Sequence, residues 1–506
     1  MASTSSAEHK PAGLPVPNST SSFWHSEPNQ FLLGHRTTPE LPAEADFVIV
    51  GSGITGTSAA RFLAEDERAK GKSVVLLEAR EACWGATGRN GGHCQVLPVA
   101  RALDVTQFEV LNYNTVKAYI EENNVECEWR SLNGCRAYYS HDMFTVAQAE
   151  VDALKAKDPE LGKIVTVVTE PSELAAHRIS KAVGCTLTSA AASLWPYKLV
   201  TFILEKLVRA GALNLQTNTP VTSLTTDSAS ASHPHTLHTP RGAIRARTVI
   251  LATNGYTSHL LPSFADLIVP VRGEMSALLP PAHAPRLPAS YGLCGQPGQP
   301  AHGDDYLNQR PYTGVPNPAG HYMYGGGDAA AHHERIGVWD DSIVDEGMAA
   351  WLRRRLLEYM ELGGETEGLQ ELTASHQWTG IMGYSRDNVP WVGKVPQEGV
   401  WLAGGYTGHG MPNGTLCGKA VVELALADEA GVPAAEAQKQ VVETVGLPKA
   451  YLITDHRLAE ARKLPTVAEA EALGVIGNHA RQEAEPQKRK SGVFDYVKRF
   501  VWPLKE

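Results

Sequence analysis

Residues 46–94 read DFVIVGSGITGTSAARFLAEDERAKGKSVVLLEAREACWGATGRNGGHC, and their pattern decides the fold. An apolar run, Phe47 to Val50, enters a turn carrying Gly51, Gly53 and Gly56. A helix-like stretch with Ala59, Ala60, Phe62 and Leu63 follows, and a second apolar run, Val74 to Leu77, ends on Glu78. The order is strand, glycine turn, helix, strand, with an acid at the tip of the second strand. In such a unit Gly51 permits the tight turn, Gly53 lets the backbone approach a pyrophosphate, and Gly56 lets the helix pack on the sheet. The helix start at Ile54 and Thr55 offers N–H groups and a positive dipole end to phosphates. Glu78 lies about 20 residues further on, where an acid takes the two ribose hydroxyls of an adenosine. Ala79 and Arg80 continue that tip. The expectation is a dinucleotide site in a βαβ unit, with Glu78 disfavouring a 2′-phosphate.

The next stretch, EACWGATGRNGGHC, holds four glycines between Gly85 and Gly92. A loop so poor in side chains, directly after an adenosine-binding strand, is expected to approach a ligand closely. Gly85, Ala86, Arg89, Asn90, Gly91 and Gly92 are therefore placed beside the pyrophosphate or the ring system beyond it. Upstream, residues 1–45 are rich in Pro, Ser and Thr, and the first twenty or so are expected to be disordered. Phe23, Trp24, Phe31 and Leu32 make the rest of that segment too apolar for a free linker, so it is expected to pack on the body.

Downstream, residues 101–210 read as mostly helical, with a strand pair near 129–140. PYKLVTFILEKLVRAG, 196–211, is an amphipathic helix punctuated by Pro196 and Gly211. LNLQTNTPVTSL is read as a strand carrying Val221. Thr248–Leu251 forms a buried strand running into Ala252, Thr253, Asn254 and Gly255, as a further parallel strand beside a cofactor would. Residues 265–345 alternate short strands with Pro/Gly turns and predict an antiparallel sheet. Residues 345–360 are a helix whose Arg353, Arg354 and Arg355 are expected on a solvated face. From 375 the chain returns to glycine-rich loops around Gly380. It then runs through GVWLAGGYTGHGM, with Gly405, Thr407, Gly408, His409, Gly410 and Met411, into a helix whose start points at a second part of the same ligand. Beyond 430 the chain reads as helical and polar. Its tail, KRKSGVFDYVKRFVWPLKE, is basic and amphipathic, expected to dock on the parent domain rather than insert in a membrane.

Composition narrows the class. The chain has 506 residues, 20% of them charged, with a formal charge of −10. That is long enough for two or three domains, and too acidic for a nucleic-acid partner. No apolar run is long enough for a transmembrane helix, the N-terminus has no secretory apolar core, and Leu504-Lys505-Glu506 is not a peroxisomal ending. Seven scattered cysteines without a CxxC pair are read as reduced thiols of a cytoplasmic protein, and no metal-ligand spacing appears.

VIVGSGITG…LLEAR, GATGRNGGH, VILATNGYT and GYSRDNVPWVG…LAGGYTGHGM together resemble the D-amino-acid oxidase-like (DAO) superfamily of FAD-dependent amine and amino-acid oxidoreductases. The likeness runs from about residue 46 to 430. It is strongest to the branch with γ-glutamylputrescine oxidoreductase, glycine oxidase and sarcosine oxidase, through WGATGRNGG and GxxGHGM. The resemblance implies an α/β fold: a Rossmann-like FAD domain assembled from separated segments (46–100, 196–264 and 375–430) and an α+β substrate domain with an antiparallel sheet (101–195 and 265–374). Residues 1–45 and 431–506 are then extensions. It implies hydride transfer from an amine-bearing carbon to flavin N5, an imine hydrolysed by water, and reoxidation by O2, yielding H2O2, or by another acceptor. By position, Gly51, Gly53, Gly56 and Glu78 fall on the adenosine and pyrophosphate, Val221 on the adenine, Arg89–Gly92 beside the isoalloxazine, and Gly408, His409, Gly410 and Met411 at the flavin ring edge.

Departures from the family pattern bear on the substrate. The arginine that grips the carboxylate in the family's amino-acid oxidases corresponds to Met382, and Arg386 is offset from it, which favours amines over α-amino acids. The cysteine that links flavin covalently in sarcosine oxidases corresponds to Gly380, so non-covalent FAD is expected. The oxygen-activating lysine corresponds to Met323, which leaves oxidase and dehydrogenase both open. A free alkylamine has a pKa of about 10.4, so holding it neutral at pH 7 costs about 4–5 kcal/mol. An aromatic-walled site supplies part of this by desolvation. His93, Tyr324 and Tyr384 are the catalytic candidates, with Tyr306, Tyr322 and Trp378 as further wall residues. His332 and His333 of GDAAAHH are not expected to serve. The alternatives are an amino-acid oxidase clamping its substrate through Arg272, Arg310 or Arg386, a non-catalytic flavoprotein binding module, and an NAD-linked or hydroxylating enzyme.

Overall fold

The apolar run Phe47–Ile49 is fully buried because it is a central strand covered on both sides. In the computed structural model, residues 10–99, 101–227, 232–299, 304–312, 320–396 and 399–472 are described. Glu44–Val50 pairs in parallel with Gly242–Leu251 on one side, Val48 opposite Val249, and with Val74–Leu77 on the other, Val48 opposite Val75. Trp401–Gly404 and Asn214–Gln216 extend the parallel core outward. Trp391–Lys394 and the hairpin Ser223–Thr226/His235–Thr239 complete an eight-stranded sheet. One face packs on helices Ile54–Glu65, Pro196–Arg209 and Gly414–Glu429, through Ile54, Ala59, Leu63, Ile203, Leu416 and Val421. The other buries Val48, Val75, Val249, Phe264 and Trp391. The first and last of these helices touch so closely that a Cβ on Gly418 would lie 2.7 Å from the Thr55 carbonyl oxygen.

Among the described residues the second sheet has nine strands, ordered Ala374–Ser385, Ile268–Leu278, Tyr322–Gly326, Asp304–Gln309, Ala289–Cys294, Arg130–Tyr138, Gly184–Ser193 and His93–Gln95, with Val165–Val168 beside Gly184–Ser193. Its pairs are antiparallel except for Ala289–Cys294 with Arg130–Tyr138. The antiparallel reading of 265–345 is thus met. Residues 101–210 are largely helical, as expected, but they also supply strands Arg130–Tyr138, Val165–Val168 and Gly184–Ser193, and 129–140 is one strand rather than a pair. The long strand Gly184–Ser193, GCTLTSAAAS, is poor in β-formers and is held by neighbours on both edges, a tertiary override of weak local preference. Val221 lies in the connection between Asn214–Gln216 and Ser223–Thr226, buried but outside any strand.

Both extensions are structured where described. Ala12, Phe23, Trp24 and Leu32 are buried, so order begins well before residue 20, contrary to the compositional expectation. Helices Ala434–Val445, Asp455–Ala461 and Val467–Ala472 follow the family-like core, and Val441, Val445, Leu447, Tyr451 and Ile453 are buried, so this part is not polar throughout. The basic tail at 488–506 lies outside the described residues. On helix Glu346–Tyr359 the arginines are not a uniform solvated face. Arg355 stacks on Trp351 and Tyr359, at 3.9 and 4.4 Å from the ring centroids, and Arg353 donates to Gln377. Among the described residues no helix is long and apolar enough to cross a membrane.

Candidate active site

The turn out of the first strand has Gly51 at φ +103°, with no room for a side chain: a Cβ would lie 2.8 Å from the Ala252 carbonyl oxygen. The helix that follows has Gly53 at its N-cap and no side-chain cap, so its start is open to a ligand. Ile54 N–H donates to Thr87 Oγ1 at 3.0 Å, which ties the glycine loop to the helix start. Glu78, at the tip of the second strand, accepts from Ser52 N and Oγ (3.0 and 2.6 Å) and from Arg80 N (3.0 Å). These groups face one cavity. Gly51, Gly53, Ile54, Thr55, Glu78, Ala79, Arg80, Val221, Ala252, Thr253 and Asn254 line one part of it. Gly85, Ala86, Arg89, Asn90, Gly91 and Gly380 line the next, and Thr407, Gly408, His409, Gly410 and Met411 the far part. An uncapped helix start, an acid at the strand tip and side-chain-free loops fit the adenosine and pyrophosphate of FAD. No cysteine stands among the lining residues.

Six sequence candidates do not line it. Gly56 packs against the Gly51 carbonyl, Gly92 against Leu194 and Trp24, and Gly405 against Trp391 and Ile268; all three shape the backbone from behind. Tyr324 is buried on the opposite face of the second sheet, donating to Asp305 Oδ2 at 2.8 Å. Side chains alternate along a strand, and its neighbour Gly325 is the one whose Cβ would meet Tyr306 and Met275 of the cavity wall. Tyr322 and Trp378 are likewise core, the latter donating to the Arg89 carbonyl at 2.8 Å.

Arg89 touches the cavity with its stem, but its guanidinium is spent elsewhere. Nε donates to Trp84 O (2.9 Å), Nη1 to Thr379 O (2.9 Å), and Nη2 to Ser19 Oγ (2.6 Å) and Thr20 O (2.8 Å); Asp341 is 3.4 Å away. Burial pulls its pKa down to about 10 against the pull of Asp341. Arg80 meets the same Asp341, at 3.0 Å. Both guanidiniums are engaged by protein acceptors, and Arg89 lines the cavity next to Gly380.

At the far end, His93 Nε2 lies 3.2 Å from the Leu307 carbonyl, and burial pushes its pKa down to about 4, so the ring is neutral at pH 7. His409 Nε2 lies 3.3 Å from Glu109 Oε1, a carboxylate with no solvent exposure that also accepts from Leu97 N–H and Asn413 Nδ2. Burial lowers the His409 pKa while Glu109 opposes it. Burial pushes the Tyr306 and Tyr384 phenols up, so both stay protonated donors. Met382 lines the wall: a Cβ on Gly408 would lie 3.6 Å from its Sδ and 3.8 Å from Tyr384 Oη.

Sequence reasoning missed the charges here. Arg136 pairs with Asp304 at 3.1 Å, and Arg335 with Asp328 at 2.6 Å and Glu471 at 3.2 Å; all five line the cavity. Asp328 belongs to the GDAAAHH stretch set aside from the sequence, whereas the backbone N–H groups of His332 and His333 donate to Asp345. Arg272, Arg310 and Arg386, the substitute clamps of the amino-acid alternative, are not in the wall. They bond to Glu334 O, Glu128, and Asp266 with Leu464 O respectively.

An α/β dinucleotide fold joined to a large antiparallel sheet, with one cavity between the glycine turns and that sheet, defines a flavin-dependent oxidoreductase. Residues 46–424 match the family of FAD dependent oxidoreductases (DAO), and the chain belongs to it, with FAD as its cofactor. It is 26% identical over 416 residues to a probable oxidoreductase OrdL of Rhizobium meliloti, covering 77% of this chain and 87% of the relative. It is 22% identical over 427 residues to the γ-glutamylputrescine oxidoreductase of Escherichia coli, covering 81% and 89%. Among solved structures, glycine oxidase from Geobacillus kaustophilus shares the fold with a TM-score of 0.58 at 18% identity, covering 75% of this chain and 95% of that one.

Proposed function

We propose that the chain oxidises the C–N bond of a primary or secondary amine to an imine, which water hydrolyses to a carbonyl compound, with O2 as acceptor and H2O2 as product. Bound FAD, held without a covalent link, supplies the hydride acceptor. The observation that carries this reading is Met382 in the cavity wall beside Gly408 and Tyr384. A thioether offers nothing to a substrate carboxylate, and with Met275, Tyr306 and Tyr384 it makes a wall that disfavours a charged ammonium by desolvation. That wall offsets part of the about 4–5 kcal/mol needed to keep an alkylamine neutral at pH 7. Tyr384 and the Glu109-backed His409 stand at the reacting end. His93, held neutral against a backbone carbonyl, shapes the wall beside Tyr306, with ring centroids 5.9 Å apart. The proposed place of action is the cytosol, in keeping with seven buried cysteines, none of them in a disulfide.

A second reading, amino-acid or other carboxylate-bearing donors, is favoured by Arg136, a guanidinium in the cavity wall. One experiment separates the two: anaerobic mixing of the purified protein with a panel of alkylamines and amino acids, following the flavin band near about 450 nm. Bleaching by amines without a carboxylate supports the first reading. Bleaching by carboxylate-bearing substrates alone overturns it in favour of the second.

A further inference from the structure

The family domain begins at residue 46, yet Gly13, Leu14 and Pro15 line the cofactor cavity. The segment containing them is tied down on every side. Ala12 N–H donates to Ser258 Oγ at 2.9 Å, and Gly13 sits so close to the Trp339 indole that a Cβ there would clash. Val16 O accepts from Arg80 at 3.3 Å, and Thr20 O from Arg89 at 2.8 Å. Thr20 N–H donates to Asp341 O at 2.8 Å, Ser22 Oγ to Gly88 O at 2.8 Å, and Trp24 Nε1 to Asn90 O at 2.5 Å. Asp341, with no solvent exposure, lies between the two guanidiniums and balances them. Arg80 and Arg89 rise from the two loops that wall the dinucleotide site, and both spend donors on the N-terminal segment rather than on a phosphate.

We propose that residues 10–24 are part of the FAD site: a strap that supplies Gly13–Pro15 to its outer wall, is fastened by Arg80, Arg89 and Asp341, and lifts for the cofactor to enter or leave. The proposal rests on the cavity being the FAD site. A strap that adds wall and buried hydrogen bonds outside the bound cofactor slows release, because opening it breaks those bonds first.

The test is flavin release from the holoenzyme, followed by the return of free-flavin fluorescence after dilution. The wild-type chain is compared with a chain lacking residues 1–17 and with Gly13→Val, which pushes the strap off Trp339. Release at least about tenfold faster in both variants is expected, a loss of about 1.4 kcal/mol of retention. FAD uptake by the truncated apoprotein is expected to be faster than by wild type. Equal release rates in wild type and both variants would overturn the strap while leaving the site in place. A wild-type chain that neither contains flavin nor takes up FAD would overturn the site itself, and the strap with it. If the truncated chain does not fold, as judged by circular dichroism, Gly13→Val decides the matter alone.

Discussion

Glu274→Gln is expected to stabilise the protein at pH 8 and to leave it almost unchanged at pH 5. Glu274 lies on strand Ile268–Leu278, touches the edge of the cofactor cavity, and is 2% exposed. Its carboxyl meets the start of helix Glu346–Tyr359. Oε1 accepts from Asp345 N–H at 3.1 Å and Thr379 Oγ1 at 2.8 Å, while Oε2 is buried without a partner. Burial raises its pKa from 4.5 to about 7, and the Asp345 carboxylate adds to that; the two hydrogen bonds and Arg272 oppose it. A carboxyl whose folded-state pKa is raised keeps its proton in the native state while the unfolded chain loses it. Stability therefore falls as pH rises from 4.5 to about 7, and the full penalty stands above that range. At about 1.36 kcal/mol per pH unit, it amounts to about 3 kcal/mol. Glutamine keeps the Oε1 acceptor and removes the charge. Denaturant unfolding of both proteins at pH 5, 6, 7 and 8 gives a difference curve that opens toward about 3 kcal/mol in favour of the variant. His25, His93 and His321, pushed down by burial to about 3, 4 and 4, give the wild type an opposite slope below pH 6.5. They are common to both proteins and cancel in the difference. A difference independent of pH, or a variant less stable at pH 8 than at pH 5 relative to wild type, would refute the reasoning.

Three more outcomes are expected. Tyr324→Phe removes the donor to Asp305 Oδ2 in the core, so unfolding shows a loss of about 1 kcal/mol while kcat/KM of the folded enzyme stays within about twofold; a large kinetic loss would restore Tyr324 as a catalytic residue. Arg136→Met raises KM at least about tenfold for carboxylate-bearing amines and little for simple alkylamines, measured by flavin bleaching, if Arg136 recognises a substrate anion. Acid precipitation of the holoenzyme leaves the flavin in the supernatant, since Gly380 and the other lining residues include no thiol; yellow colour retained in the pellet would contradict non-covalent binding.

The dinucleotide half of the site was legible because its chemistry is local. Gly51 and Gly53 shape the backbone and Glu78 places a carboxylate at the strand tip, all within one βαβ unit whose spacing is visible in the sequence. The reacting half was only partly legible because its residues are gathered by pairing between distant strands. Arg136, Gly292, Tyr306, Gly325 and Met275 form one rung across five strands, a row that no spacing in the sequence announces. The alternation that puts Tyr306 in the wall and Tyr324 behind it depends on register, and a one-residue slip of Tyr322–Gly326 would turn Tyr324 to the wall face. The partners of Arg89 were hidden for a related reason. Its place in a glycine loop pointed to the pyrophosphate or the ring system beyond it, but the acceptors that claim its guanidinium come from residues 19, 20, 84, 341 and 379. The two extensions complete the picture: Gly13–Pro15 close the cavity from the N-terminal side and Glu471 from the C-terminal side, both outside the family-matched span.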